Sequence, residues 1–244
     1  MPPTGPLQIG CNRICFTGET KTGEEIVRLA AVKKVLLEEG GLGRLVILDD
    51  ANFQKVVEDA VFGCYYNVGQ RCVANERILA HERIHDRFAD AVVARSREVK
   101  LGNPFEVTSD IGPLNNEPQA QKVERHLEDG VEKGAKVVLG GKRATGFPSH
   151  LYFQPAVVDN VTPDMLFNRE ETFGPVAPIL TFVTVDEAID IANSTLYGLS
   201  ASVHTNDLNT AFYLADRLKV GQVVINDTIS LWEYQHPWGG AKKS

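Results

Sequence analysis

The chain has 244 residues, 43% hydrophobic and 23% charged, with a net charge of −7 at neutral pH. That length supports one large domain or two modest ones around a sizeable core, and the ordinary composition excludes disordered and fibrous classes. The acidic balance argues against a nucleic-acid binder, which needs a basic face, and no apolar run approaches the roughly 18 residues of a membrane span.

In chain order, short apolar runs alternate with amphipathic stretches, which predicts an α/β fold. The opening MPPTGPLQIG carries no signal-peptide core. RICF (13–16) reads as a strand running into the Gly-containing turn TGETKTG. EEIVRLAAVKKVLLEE (24–39) reads as a helix, because Ile26, Leu29, Ala30, Val32 and Leu36 keep near-helical spacing. RLVILDD (44–50) is a buried-strand candidate, followed by a helix through FQKVVEDAVFGCYYN. ERILAH (76–81) predicts a strand and 84–99 a helix with Ile84, Phe88, Ala91, Val92 and Val99 near one face. GNPFEVTSDIGPLNN is a long loop rich in turn formers. EPQAQKVERHLEDGVEKGA is helical and gives way to the strand KVVLGG. TFVTVDEAIDIANST pairs a strand with a helix capped by Asp186. LSASVHT, a helix through LNTAFYLADRLKV, and GQVVIN complete the pattern. No internal repeat, low-complexity tract or flexible linker interrupts it.

HERIH (81–85) fits the zinc-peptidase pattern His-Glu-x-x-His. That pattern binds metal only when both histidines share one continuous helix and a third ligand closes the site. Here His81 ends a strand, the apolar face of the next helix begins at Ile84, and no third ligand follows His85. A strand end meeting a helix start explains the match, and no metal is expected.

Cys11, Cys15, Cys64 and Cys72 lack the paired spacing of a zinc knuckle or a small disulfide scaffold. Reduced thiols in the cytoplasm are the expectation. Cys64, inside a helix, reads as an inert core thiol. Cys72 closes the turn-prone NVGQRC (67–72), where a Gly-Gln turn and Arg71 could supply the polar, partly exposed, electropositive setting a nucleophile needs.

Five stretches, in order, resemble the aldehyde dehydrogenase superfamily, and the similarity runs from about residue 13 to 244. FTGETKTG (16–23) is similar to the strand-turn-helix closing the family's NAD-binding domain. LLEEGG (36–41) resembles the segment of its general-base glutamate, which would be Glu38. NVGQRC resembles the segment of its catalytic cysteine, which would be Cys72. EETFGPV (170–176) resembles the motif whose glutamate and phenylalanine meet the cofactor, here Glu171 and Phe173. PWGGAKKS is similar to the family's closing Pro-aromatic-Gly-Gly segment, and Trp232, Tyr234 and Trp238 fall where part of the substrate pocket lies. Bland readings stand beside these: Glu38 as a solvated helix end, Glu171 as a surface carboxylate, Phe173 as a core ring, and Gly18 and Gly23 as turn formers.

The resemblance implies a three-layer αβα fold with a largely parallel sheet. Residues 1–38 would be a remnant of the dinucleotide-binding domain and 39–244 the catalytic domain. It further implies NAD or NADP as cofactor, with Gly18, Glu19, Gly23, Glu171 and Phe173 on the binding side, and an aldehyde substrate oxidised through an acyl-thioester on Cys72. A cofactor-independent thiol esterase using Cys72 and Glu38 is the alternative. Family members are about twice as long, and the upstream half carries most of the cofactor domain, so an exposed domain face could drive self-association. Three positions depart from the pattern. Glu19 places a carboxylate where phosphate would pass, Glu39 sets a second acid beside Glu38, and Arg44 replaces a proline. Adjacent like charges tend to raise one carboxyl.

Overall fold

The computed structural model describes residues 11–229 and 235–244. Strand β1 (Arg13–Thr17), helix α1 (Thr20–Ala30) and strand β2 (Lys34–Glu38) form a βαβ unit whose strands pair in parallel, Arg13 opposite Lys34 through Thr17 opposite Glu38. The helix expected over 24–39 therefore ends early. Ala31 turns it off at φ 52°, and the apolar run after Lys34 pairs with β1 instead. Helical spacing alone would bury Val32 and Leu36, yet Val32 is fully exposed and Leu36 is 61% exposed. Pairing with a neighbouring strand outweighs local periodicity here.

The main sheet has seven strands, β3 (Arg44–Ile47), β4 (Arg77–His81), β5 (Lys136–Leu139), β6 (Ala156–Asp159), β7 (Val176–Phe182), β9 (Ser200–His204) and β10 (Gln222–Ile225). Their order is β10-β9-β3-β4-β7-β6-β5. All neighbours run parallel except β5, which is antiparallel to β6. Every residue of β3, β4 and β9 is buried. Successive side chains point to opposite faces, so both faces of the sheet are covered and the three-layer αβα expectation holds. The covering helices are α2 (Phe53–Tyr65), α3 (His85–Ser96), α4 (Glu117–Glu132), α5 (Val185–Asn193) and α6 (Leu208–Arg217). A two-residue pair, β8 (Tyr197–Gly198) with β11 (Ala241–Lys242), ties the closing tail to the body. No helix among the described residues is long and apolar enough to cross a membrane.

Two local details differ from expectation. Helix α5 is capped by Thr184, whose hydroxyl accepts from the Glu187 N–H at 3.2 Å, rather than by Asp186; the side chain one residue outside the first turn is the one that reaches back to the free amides. Arg44 is wholly buried and donates to the carbonyls of Ala192 (2.8 Å) and Tyr197. Arg77, also buried, donates to Ile191 and Ala192, and Lys242 to Asn193 and Thr195. Three cations thus satisfy the carbonyls at the negative end of α5. That is the role Arg44 takes on in place of a proline.

His81 and His85 lie on either side of a strand-to-helix turn, as the sequence indicates. The His81 ring nitrogen accepts from the Arg83 N–H, while His85 bonds Asp86 and Asp159 at 2.9 and 2.8 Å. Among the described residues no group of His, Cys, Asp and Glu is placed to hold a metal ion.

Candidate active site

Helix α2 delivers the chain to the cysteine through a tight turn in which Asn67, Val68 and Gly69 all take positive φ, 54°, 61° and 70°. A β-branched residue in that region is an outlier, and such strain concentrates at functional sites. At Gly69 any side chain would collide with the Gly174 carbonyl, 2.2 Å from a Cβ. The turn is locked by the Asn67 amide on the Gln70 carbonyl (3.1 Å) and by Gln70 Oε1 accepting from the Asn115 N–H (2.8 Å).

Cys72 emerges half-buried from this turn. The segment after β2 runs directly against it: a Cβ at Gly41 would stand 1.7 Å from the Cys72 carbonyl oxygen. Only glycine permits that approach, which explains the Gly-Gly pair following Glu38 and Glu39. Glu38 ends β2, and its Oε2 accepts from the Trp238 indole N–H at 2.8 Å. Trp238 also packs with Cys72 against a small cluster of Val73, Leu199 and Ile229. Trp232 and Tyr234 lie outside the described residues.

Burial pushes the Cys72 thiol above its ordinary range, and the nearby Glu171 and Glu38 carboxylates push it further. Its own N–H and Arg71 act in the opposite direction without overcoming burial. The setting is thus partly exposed, as expected, but less electropositive than the arginine alone suggests. Cys64 is the contrast: it is buried, donates to the Asn75 carbonyl at 3.0 Å and is held far above the usual thiol range by burial. All four cysteines are unpaired.

Glu171 reaches the same loop from the far side, its Oε1 accepting from the Gly41 N–H at 2.9 Å and its Oε2 lying beside Gly40. Burial raises its carboxyl. Phe173 stands at φ 54° because the buried Glu76 carboxylate accepts from the Thr172 and Phe173 N–H groups, the latter at 2.7 Å. Sequence reasoning passed over Glu76. Its signal was a lone acid at the head of the apolar run RILAH. His126, wholly buried, adds a second brace through Thr172 Oγ1 at 3.1 Å.

These groups surround a cleft of about 910 Å³ lined among others by Gly18, Glu19, Cys72, Lys122, Glu171 and Phe173. Glu19 stands at the N-terminus of α1 without capping it. Gly23 sits one turn further along, and its open side is filled by the Glu39 carboxylate. Glu39 is 7% exposed, and its Oε1 is without a partner. Burial raises its carboxyl first and the charge of Glu24 second. The structure thus brings Cys72, Glu171, Phe173, Gly18 and Glu19 to one cleft, sets Glu38 beside it, and leaves Gly23 as a packing contact with Glu39.

A model of the aldehyde dehydrogenase family matches residues 8–244. Among curated proteins, the chain is 38% identical over 235 residues to a betaine aldehyde dehydrogenase of Bacillus subtilis, covering 95% of this chain and 48% of that protein. It is 40% identical over 244 residues to a mitochondrial succinate-semialdehyde dehydrogenase of Rattus norvegicus, covering 99% and 46%. Among solved structures, betaine aldehyde dehydrogenase from Staphylococcus aureus in complex with NAD+ superposes with a TM-score of 0.92 at 37% identity, covering 95% of this chain and 47% of that one. The chain spans about half the length of the relatives it matches.

Proposed function

Because the chain belongs to the aldehyde dehydrogenase family, we propose that its cleft performs acyl transfer on Cys72 as part of NAD(P)-dependent oxidation of an aldehyde to a carboxylic acid. The observation that carries this reading is the contact of the Glu38–Gly41 loop with the Cys72 backbone, closer than any residue but glycine would allow. It sets a carboxylate and a thiol on adjoining segments, the pairing covalent catalysis requires.

In this mechanism the Cys72 thiolate adds to the aldehyde carbon, and the carbonyl oxygen becomes the oxyanion of a thiohemiacetal. The Cys72 N–H, next to the attacking sulfur in the chain, is a fixed donor for that oxyanion. A nicotinamide cofactor supplies the acceptor for the hydride that leaves this carbon. The residues present fit its riboside end: Glu171 offers carboxylate oxygens to ribose hydroxyls and Phe173 an apolar wall, on a loop that Glu76 holds in place. Glu38 then takes a proton from water, whose oxygen attacks the thioester and frees the acid and the thiol. The two-stranded sheet that ends at Glu38 supports dividing the chain at residue 38, with the catalytic domain beyond it. Four unpaired thiols fit a reducing compartment such as the cytoplasm.

A second reading has its own support. Nucleophile and base both lie in this chain, and hydrolysis of an ester through the same thioester needs no hydride acceptor. The test is exposure of the purified chain to p-nitrophenyl acetate, with intact-mass detection of the adduct. One acetyl group on Cys72, lost in Cys72→Ala and accumulating in Glu38→Gln, is expected. Acylation elsewhere, or unchanged release in Glu38→Gln, overturns these roles. Nucleotide reduction with an aldehyde then separates dehydrogenase from esterase.

A further inference from the structure

The start of α1 is held to the rest of the chain by two acids that compete for one lysine. Along α1 only Gly23 and Ala30 are buried, and the helix has no side-chain cap at its N-terminus. Little apolar contact therefore seats it, and its fastenings lie in the first turns. The Glu39 carboxylate fills the space that a Cβ at Gly23 would take. The Thr20 hydroxyl donates to the Lys243 carbonyl at 3.1 Å, and Lys243 Nζ pairs with Glu24 Oε1 at 2.7 Å. The tail that supplies Lys243 is itself anchored: the Lys243 N–H donates to the Leu196 carbonyl, and Ser244 Oγ accepts from the Gly198 N–H.

Glu39 is the strained member of this set. It is 7% exposed, and its Oε1 has no partner among the described residues. A buried carboxylate without water or a donor is costly, whereas the neutral acid is tolerated. The charges that face it come from every element around it. Glu24 on α1 favours the acid and Lys243 on the tail favours the carboxylate. Glu19, Lys122 and Glu171 line the cleft wall it shares, and its neighbour Glu38 is turned to the Trp238 indole. Lys243 and Glu24 are each about half exposed, so their pair is weak and the lysine is free to change partner.

We propose that Glu39 is a latch on α1. As the acid it seats against Gly23 and leaves Lys243 to Glu24; as the carboxylate, its proton released to water, it draws Lys243 away and loosens the helix whose start walls the cleft. The latch does not depend on any role for Cys72. Burial raises the carboxyl of Glu39 in the docked state, so docking is strongest below the ordinary carboxyl value. As pH rises the undocked state ionises first, and attachment is lost through the raised value.

The test is hydrogen exchange of the intact chain from pH 5 to pH 8, read by mass spectrometry on peptides of α1, with α6 as the reference helix. Each rate is divided by that of an unstructured peptide at the same pH, so the ratio reports local release. Protection of α1 is expected to fall several-fold as pH rises while α6 holds steady, and to keep its low-pH level in Glu39→Gln. Two substitutions at exposed positions carry the test if Glu39→Gln does not fold. Glu24→Gln removes a repulsion and frees Lys243, and should move the midpoint to lower pH; Lys243→Gln should move it to higher pH. A parallel fall in α6, no fall in the unaltered protein, an equal fall in Glu39→Gln, or a midpoint left in place by either exposed substitution overturns the latch.

Discussion

At the scale of single residues, the chemistry turns on how Cys72 ionises and how Glu38 is held. Burial and two carboxylates outweigh Arg71 and the local N–H. Alkylation of Cys72 by iodoacetamide should therefore climb with pH through a midpoint above the ordinary thiol value. A midpoint below that value would show that the arginine dominates. Glu38 owes its position to the Trp238 indole. Trp238→Phe keeps the ring packing and removes the donor, and a hydrogen bond to a charged group contributes about 1.5–3 kcal/mol. Thioester release should slow by roughly tenfold or more at that magnitude, with the initial burst of p-nitrophenol retained. A slowed burst would instead assign the indole to the acylation step. Cys72 was legible in the sequence because NVGQRC carries its own turn signals. Trp238 as a tether and Glu76 as a loop brace were not, because each acts on a partner far along the chain, 200 residues away for Trp238 and 97 for Glu76 with Phe173. No spacing rule reaches that far.

At the scale of elements, strands and helices with a buried face were readable and those governed by pairing were not. The helices α2, α3, α4 and α6 fall close to their apolar periodicity, since burial of one face is what makes them helices. The stretch 24–39 misled because Val32 and Leu36 sit at helical spacing in a segment whose second half is a strand. The turn at Ala31 and the parallel register with β1 decide the matter, and neither leaves a local signal. Strand β6 has a related origin: AVVD is set by its pairing with β5 on one side and β7 on the other rather than by a pattern of its own. Helix α4 carries a consequence for stability. His126 is buried on it, against Phe167 and Thr172. Its Nε2 lies 3.6 Å from Glu170, too far for a hydrogen bond. Burial, followed by the charge of Lys122, lowers His126 from its ordinary 6.5 to about 4, against the opposing pull of Glu170. Above pH 6.5 neither the folded nor the unfolded chain holds the proton, and the full contribution is present. As pH falls from 6.5 towards 4 the unfolded chain is protonated first and stability is lost, up to about 3 kcal/mol. Urea unfolding at pH 7 and pH 5 should show this loss, and His126→Gln should lose less over the same interval. An equal loss in both proteins would rule out His126 as a source.

At the scale of the whole molecule, the seven-stranded sheet is covered on both faces, and the βαβ unit at the other end of the site is not. Val27 is 51% exposed on α1, Leu36 is 61% exposed on β2, and Val32 between them is fully exposed. Strands β1 and β2 pair only with each other among the described residues, so each also presents an unpaired edge. Relatives of about twice this length carry as much chain again. Apolar surface beside open strand edges favours association. Sedimentation velocity of the isolated chain should accordingly show a weight-average mass that grows with concentration. Leu36→Lys places a charge in the middle of the exposed strand, and strand-edge charges oppose such pairing. It should return the chain toward the monomer without altering its circular dichroism or the acylation of Cys72, because Leu36 is exposed and does not line the cleft. A chain that stays monomeric at all concentrations would mean that the βαβ unit shields this surface by itself. Association unchanged in Leu36→Lys would move the contact to another face.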